Sequence, residues 1–584
     1  MNAPSIVLST ARARMLSLFG VPNSTGVELL ERKIGRPLLL ESGVIEARAE
    51  DLGKLFHPVT LPIPLSYHAL SPSCQEGLKM VGVAMQFLSV PHRLQSNPYG
   101  VLFEQLMQTP AYAPLVPFYR RFAGPFNFLQ PDSHHQVHCF LPGWEEFIRP
   151  PGGGMYPPEI TTAEAFHLMV SAESSDAKDQ RVIFGLGQSE ELAGTPYSVA
   201  FADWLQPAAG LLQGAAVLFE GELPQIAGYL RSVANAFLTN DFPSSDRAWV
   251  GLTDGPLDMN IGAIEQYMDK LRNQLAQFLG VLQIKNPDCE QELAPLIAAF
   301  PIFEESLPVP EEFKKPREKR TPPPVFVVDS LFATGHHVAG GHISVAYNRP
   351  NDPVVRREYG RRIVIMENLL RARELENPGA KVLTRFFHNG QRSLVTPQGL
   401  KLFVFFHEEA HGNGIEHVVG DPEKDARVAL GAIGSTAEEL RADIVGLHNA
   451  NIAVARGLLS SRVLHEIYAS YFHRCINTLR KGTGGAHSRG VLVALNYLSE
   501  NRAFSLDDRT GEVFIDLDRM PDIISQFAAD LMMMKGRGDK EGFERLYARY
   551  GEITPPGLRK IFDDLREYPV DIIVRYAFEE SLVL

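Results

Sequence analysis

The spacing of apolar residues changes character along the chain. Up to about residue 241, short apolar runs alternate with helical periodicity. Residues 180–185 and 215–219 predict strands, while 222–240 has apolar residues three and four apart and predicts a helix. Pro150-Pro151-Gly152-Gly153-Gly154 predicts a loop. The three-and-four spacing returns over 262–282, through Ile264, Tyr267, Leu271, Leu275, Phe278 and Leu282, and predicts another helix. The stretch 300–324, rich in Pro, Glu and Lys, reads as a surface connection or linker. Residues 325–329 and 343–347 predict strands. Helical periodicity then dominates, over 399–412, 436–452, 458–479, 491–500, 522–534, 539–550 and 556–567. Ser435 or Thr436 is the expected N-cap of the second of these helices. The pattern divides the chain into a mixed α/β region (1–241), a middle segment (242–398) and a mainly helical region (399–584).

Composition narrows the function classes. With 584 residues, 45% of them hydrophobic, the chain can bury large cores in more than one lobe. A formal net charge of −13 gives no generic affinity for nucleic acid or an anionic membrane. The basic run 313–320 is crowded by prolines and reads as a solvated linker. Cys74, Cys139, Cys289 and Cys475 form no C-x-x-C pair and no disulfide framework, which suits a reducing cytoplasm. No signal-peptide pattern and no bilayer-length apolar run is found, so a soluble, cytoplasmic protein is expected.

The chemistry is concentrated in His407-Glu408-Glu409-Ala410-His411, an H-E-x-x-H run preceded by the apolar Leu402 to Phe406. On a helix, residues four apart share one face, so His407 and His411 can reach one metal ion. Glu408 then lies where it can take a proton from a water. Glu439 and Asp443 are also four apart. Glu439 can complete a two-His, one-Glu ligand set with a fourth position left open, the arrangement of a catalytic zinc site. Asp443 can accept the free N–H of a ligating histidine. Each half alone has a plainer reading. Two histidines four apart are often packed without metal, and Glu438, Glu439 and Asp443 could be a charged face near a helix N-terminus. Together each half supplies what the other lacks.

These segments resemble the dipeptidyl peptidase III family of zinc exopeptidases, in particular its shorter bacterial-type members. Glu438-Glu439-Leu440-Arg441-Ala442-Asp443 is similar to that family's second signature, E-E-x-R-A-[ED]; the likeness makes Glu439 the ligand and leaves Glu438 beside Asp443 as a supporting acid. Gly484-Gly485-Ala486-His487-Ser488-Arg489-Gly490 resembles the segment whose histidine steadies the transition state. Gly262-Ala263-Ile264-Glu265-Gln266-Tyr267 is similar to the G-x-I-E-x-Y segment, which implies that Glu265 holds the substrate's amino terminus and Tyr267 its backbone. Tyr347-Asn348-Arg349-Pro350-Asn351 resembles the N-x-P-N segment, which implies backbone contacts from Asn348 and Asn351. The likeness spans about 245–580 in the family's order. It implies an α+β fold of two lobes around a cleft, a mostly helical zinc-bearing lobe and a mixed lobe with a β core. It also implies one Zn²⁺ per chain and a short peptide substrate cut from its amino end. Three features depart from the longer members, the first being that no counterpart is found to their basic pair near the C-terminus, which holds the peptide's far end. The metal histidines keep the simple four-residue spacing, and Val491 falls near the place of an arginine that follows the transition-state histidine.

Independently of any family, His487 can donate to a developing oxyanion or be a core histidine. Glu265 and Tyr267, two apart, would diverge on an ideal helix. His134, His135 and His138, near Cys139, fit no strong zinc signature and read as part of an alternating strand. His336 and His337 read as a surface turn. Two other functions stay open: hydrolysis of a non-peptide amide or small metabolite, and peptide binding by a catalytically inactive site.

Overall fold

The structure, a computed structural model, describes residues 28, 31–32, 34–37, 41–132, 136–170, 178–187, 191–266, 268–340, 343–482 and 486–582. The fold is α+β, with a curled sheet in one part and a helical assembly in the other. The sheet has five strands, β1 (Leu257–Glu265), β2 (Gln277–Lys285), β3 (Val325–Gly335), β4 (Ala346–Arg349) and β5 (Arg362–Met366), in the order β1-β2-β3-β5-β4. Only the β3–β5 pairing is parallel. The sheet curls until its two edges approach. Arg349 at the end of β4 donates to Glu265 at the end of β1 (2.7 Å) and to Asn260 on the same strand (2.7 Å).

This sheet corrects the helix expected over 262–282. Every residue of β1 and β2 is buried. A strand covered on both faces carries apolar residues at any position, so its period of two disappears and a helical spacing can arise by coincidence. Helix α1 (Pro72–Ser96) lies across β2 and β3, backed by α2 (Ala202–Phe219) and α3 (Pro224–Thr239). A β-carbon on Gly280 would stand 2.7 Å from Met85 Cγ, so only glycine lets α1 approach β2 this closely. Residues 215–219, expected as a strand, are the last turns of α2; a short apolar run does not distinguish a buried helix from a strand.

The helical part is built on α4 (Pro397–Ala410), α5 (Gly434–Ala455), α6 (Ser461–Leu479), α7 (Ala486–Glu500) and α8 (Met520–Arg537). Thr396 caps α4 by accepting from the Gly399 amide (3.0 Å), and Pro397 occupies the first turn. Residues 399–410 of α4 are all buried, as a helix surrounded by others requires. The expected cap of α5 is corrected. The helix continues from the turn Gly431–Ile433 and begins at Gly434, so Ser435 and Thr436 lie inside it.

Three other expectations change. The 300–324 connection is packed in its first part, which contains the helix Phe300–Glu305, and Phe313 is buried, while Pro316, Arg317 and Glu318 are exposed. His336 and His337 are fully buried just beyond β3, and His337 Nε2 lies 3.0 Å from Met366 Sδ. The strand expected over 343–347 is displaced to Ala346–Arg349.

A buried charge cluster joins the ends of the chain. The strand Phe56–Leu61 pairs in parallel with Asp571–Tyr576. At the start of that pairing Asp571 receives Arg121 (2.7 Å) and Lys481 (3.0 Å), with Arg373 at 3.9 Å. Burial alone would raise the Asp571 pKa, but Lys481, Arg121 and Arg373 outweigh it and hold the carboxyl well below the usual range. Lys481 is pushed down to about 8 by burial and by Arg373. The carboxylate is therefore what keeps three buried cations tolerable. Asp571→Asn is expected to cost about 3–5 kcal/mol in denaturant unfolding, because it strands those cations. A depressed folded-state pKa contributes stability above the unfolded value of about 4 and loses it as pH falls below that. The wild-type advantage over Asp571→Asn should accordingly shrink from pH 5 toward pH 2, as read by urea titration at each pH.

Candidate metal and peptide site

Helices α4 and α5 cross with almost no side chain between them at Gly446. A β-carbon there would lie 2.9 Å from the Phe406 carbonyl oxygen and 3.0 Å from the His407 amide nitrogen. This close approach brings the acidic face of α5 against the two histidines of α4. His407 Nδ1 bonds Asp443 Oδ1 at 2.7 Å, and His411 Nδ1 bonds Glu438 Oε1 at 3.0 Å. Glu438 also receives Arg441 Nε (3.0 Å) and Lys535 Nζ (2.9 Å). Burial opposes its ionisation, but Arg441 and Lys535 outweigh burial and hold its carboxyl well below the usual value. For His407, burial opposes the charged form, and the hydrogen bond and charge of Asp443, aided by Glu439 and Glu408, reverse the balance and raise its pKa.

These bonds fix the tautomers. A carboxylate only accepts, so each Nδ1 carries the hydrogen and each Nε2 presents a lone pair. The two Nε2 atoms face each other at 3.2 Å, and His407 Nε2 is 3.6 Å from Glu439 Oε2. Two opposed lone pairs beside a carboxylate require a proton or a cation among them. Ligand nitrogens about 2.05 Å from a tetrahedral zinc stand about 3.3 Å apart, so the observed edges fit such an ion. One donor atom each from His407, His411 and Glu439 lies within 4.8 Å of the others, the one such group found among the described residues. His138 instead bonds the Glu145 carbonyl (2.8 Å) and Asp132 (3.0 Å), while His134 and His135 lie outside the described residues.

The strand edge meets the metal helix here. Asn348 on β4 donates to the backbone carbonyl of Glu408 (3.1 Å), and its Oδ1 is buried without a hydrogen-bond partner among the described residues. Asn351 donates to Glu265 Oε2 (3.0 Å) and to the Ile264 carbonyl (3.2 Å). Glu265 is buried and paired with Arg349. Nor do Glu265 and Tyr267 start a helix: Glu265 ends β1, and Tyr267 lies outside the described residues. His487 belongs to the first turn of α7, and its side chain lies outside the described set. The residue following that turn, Gly490, packs on Leu440, next to Glu439; its β-carbon position is 3.3 Å from the Leu440 amide.

Sequence reasoning passed over Arg349 and Glu409. Arg349 sits in the quoted Asn348-Arg349-Pro350-Asn351 segment, and a charged residue on an apolar strand was the available signal. Glu409 is buried beneath the metal helix and bonded by Asn413 (2.7 Å) and Asn449 (2.5 Å); burial pushes its carboxyl up to about 7. Nothing in its local sequence separates it from Glu408.

Residues 225–416 match the model of peptidase family M49. The fold is similar to that of DPP III from Caldithrix abyssi, with a TM-score of 0.81 and 25% identity, covering 93% of this chain and 100% of the other. The family model and the solved structure thus point to the same family, the first through a third of the chain and the second through nearly all of it. A second solved structure, dipeptidyl-peptidase III from Corallococcus sp. strain EGB, matches with a TM-score of 0.78 and 26% identity over 93% of this chain and 98% of its own. Nudix hydrolase 3 of Arabidopsis thaliana is 28% identical over 74% of this chain. The chain spans 58% of that relative's length.

Proposed function

We propose that this chain is a zinc-dependent dipeptidyl peptidase of the M49 type that removes dipeptides from the amino end of short peptides. The observation that carries the reading is the trio His407, His411 and Glu439 with both Nε2 lone pairs converging, on a fold shared with DPP III structures. These three residues are the proposed ligands of one Zn²⁺ per chain, chosen over other divalent ions by ligand type. When bound there, zinc supplies Lewis acidity to the scissile carbonyl and acidifies a water.

The remaining steps belong to the chain. Glu408 accepts the proton of the attacking water and passes it to the departing amine nitrogen. Its backbone is held by Asn348, so its helical position is fixed from the strand side. Asn348 Oδ1 is available to accept a substrate N–H, and Asn351 orients Glu265 toward the peptide's amino terminus. Because Arg349 already balances Glu265, the amine is recognised by hydrogen-bond geometry more than by net charge. His487 supports the oxyanion in this scheme; the packing of Gly490 against Leu440 supports placing its helix turn near Glu439. Asp443 and Glu438 keep the imidazoles in the ligating tautomer. Asp443→Asn is expected to weaken zinc binding by about 10- to 100-fold, measured by competition with a chromophoric chelator; unchanged affinity would remove Asp443 from the site.

The test of the activity is release of arylamine from dipeptidyl-arylamides by zinc-loaded protein. Cleavage there supports the reading. Cleavage only of non-peptide amides transfers the site to the alternative hydrolase, and peptide binding without turnover of any amide makes it an inactive binder. Among the described residues no helix is long and apolar enough to cross a membrane. The four cysteines are all free thiols, which supports the cytoplasmic placement proposed here.

A further inference from the structure

The carboxylate proposed to meet the peptide's amino terminus is neutralised by the protein itself. Arg349 Nε bonds Glu265 Oε1 at 2.7 Å, and Arg349 Nη2 lies 2.6 Å from the same oxygen. Glu265 Oε2 accepts from Asn351 (3.0 Å). Both oxygens are therefore engaged by the chain's own side chains. Arg349 is 1% exposed and Glu265 5%, so water does not weaken the pair. Two further contacts hold the guanidinium: Nη1 bonds Asn260 (2.7 Å), and Cζ lies 4.1 Å from the centre of the Tyr347 ring. For Arg349 to swing aside, all of these contacts would have to break together.

The neighbouring acids are balanced too. Asp246, in the helix Phe242–Val250, faces Arg181 (3.3 Å), and Asp352, which caps the helix Pro353–Tyr359, stands 3.9 Å from the same guanidinium. Arg349 and Arg247 act on Asp246 as well. Among these described residues three carboxylates, Glu265, Asp246 and Asp352, meet three guanidiniums, Arg349, Arg181 and Arg247. On the side of His336, Lys270 adds a further cation to the fields of Glu265 and Arg349. What the strand edge offers a peptide is then a pair of neutral acceptors. Asn351 uses both amide hydrogens, on Glu265 and on the Ile264 carbonyl (3.2 Å), so its oxygen is the group it can turn to a ligand. Asn348 presents its buried Oδ1. A neutral amide oxygen gains less from an ammonium than a free carboxylate does, so it separates an ammonium from an amide N–H only weakly.

We infer that Arg349 removes the need for a charged amino terminus, so that peptides with an acylated amino end are substrates beside free ones. The inference rests on the peptidase reading, which lays the peptide's amino end along β4 at Glu265. Arg349 is then a specificity residue: by holding Glu265 it replaces recognition of charge with recognition of an N–H, which an acylated end still carries.

The experiment compares an alanyl-alanyl arylamide with its N-acetyl form on zinc-loaded wild-type protein. Acetylation should lower kcat/KM by less than about tenfold, whereas a site that reads the ammonium with a free carboxylate loses more than that. A loss of about tenfold or more in the wild type overturns the inference. Arg349→Met frees the Glu265 carboxylate, so in that variant the loss on acetylation should grow to about tenfold or more. A folded variant that keeps the wild-type ratio overturns the role given to Arg349. The wild-type comparison stands by itself if the variant does not fold. Turnover of neither arylamide counts against the peptidase reading instead. Calorimetric titration with tetra-alanine and N-acetyl-tetra-alanine then reads the subsite. Affinities within about tenfold of each other support the inference, and weaker binding of the acetylated peptide, or binding of neither, overturns it.

Discussion

Glu408→Gln is expected to lower kcat on a dipeptidyl-arylamide by about 10²- to 10⁴-fold, the range for losing a positioned general base. Zinc content and unfolding midpoint should hardly move. The glutamine is isosteric, the ligands are His407, His411 and Glu439, and the bond from Asn348 ends on the Glu408 backbone rather than its carboxylate. The comparison is made on protein with measured metal content, so loss of chemistry separates from loss of ion. A residual rate within about tenfold of wild type would place the proton transfer on another group.

Removing a ligand should act on the ion first. In His407→Ala and Glu439→Ala, zinc affinity should fall by more than the roughly 10- to 100-fold expected for an outer partner such as Asp443. The two variants fail for different reasons. His407→Ala removes one of the converging lone pairs and also leaves Asp443 without its imidazole partner. Glu439→Ala leaves both histidines in place but takes away the charge that offsets the cation. Equilibrium dialysis against buffered zinc reads both. Full retention of zinc by Glu439→Ala, with His407→Ala deficient, would show that another donor completes the set.

The metal helix was legible because its chemistry repeats at a helical interval. His407 and His411 declare one face of α4, and Glu439 and Asp443 one face of α5; the structure needs only Gly446 to bring those faces together. The helices from residue 399 onward were also legible as elements, although the start of α5 was not: a helix that grows out of a preceding turn needs no side-chain cap at the residues that resemble one. The sheet was not legible over 262–282. Strands buried on both faces lose alternation, and the ion pair between Arg349 and Glu265 that holds the two sheet edges together links residues 84 apart.

The most direct measurement of the central claim is an anomalous-difference map from crystals of zinc-loaded protein. The account predicts one strong peak about 2.0–2.2 Å from His407 Nε2, His411 Nε2 and a Glu439 oxygen. A peak elsewhere, or one bound by the imidazoles with the Glu439 carboxylate turned away, would contradict it.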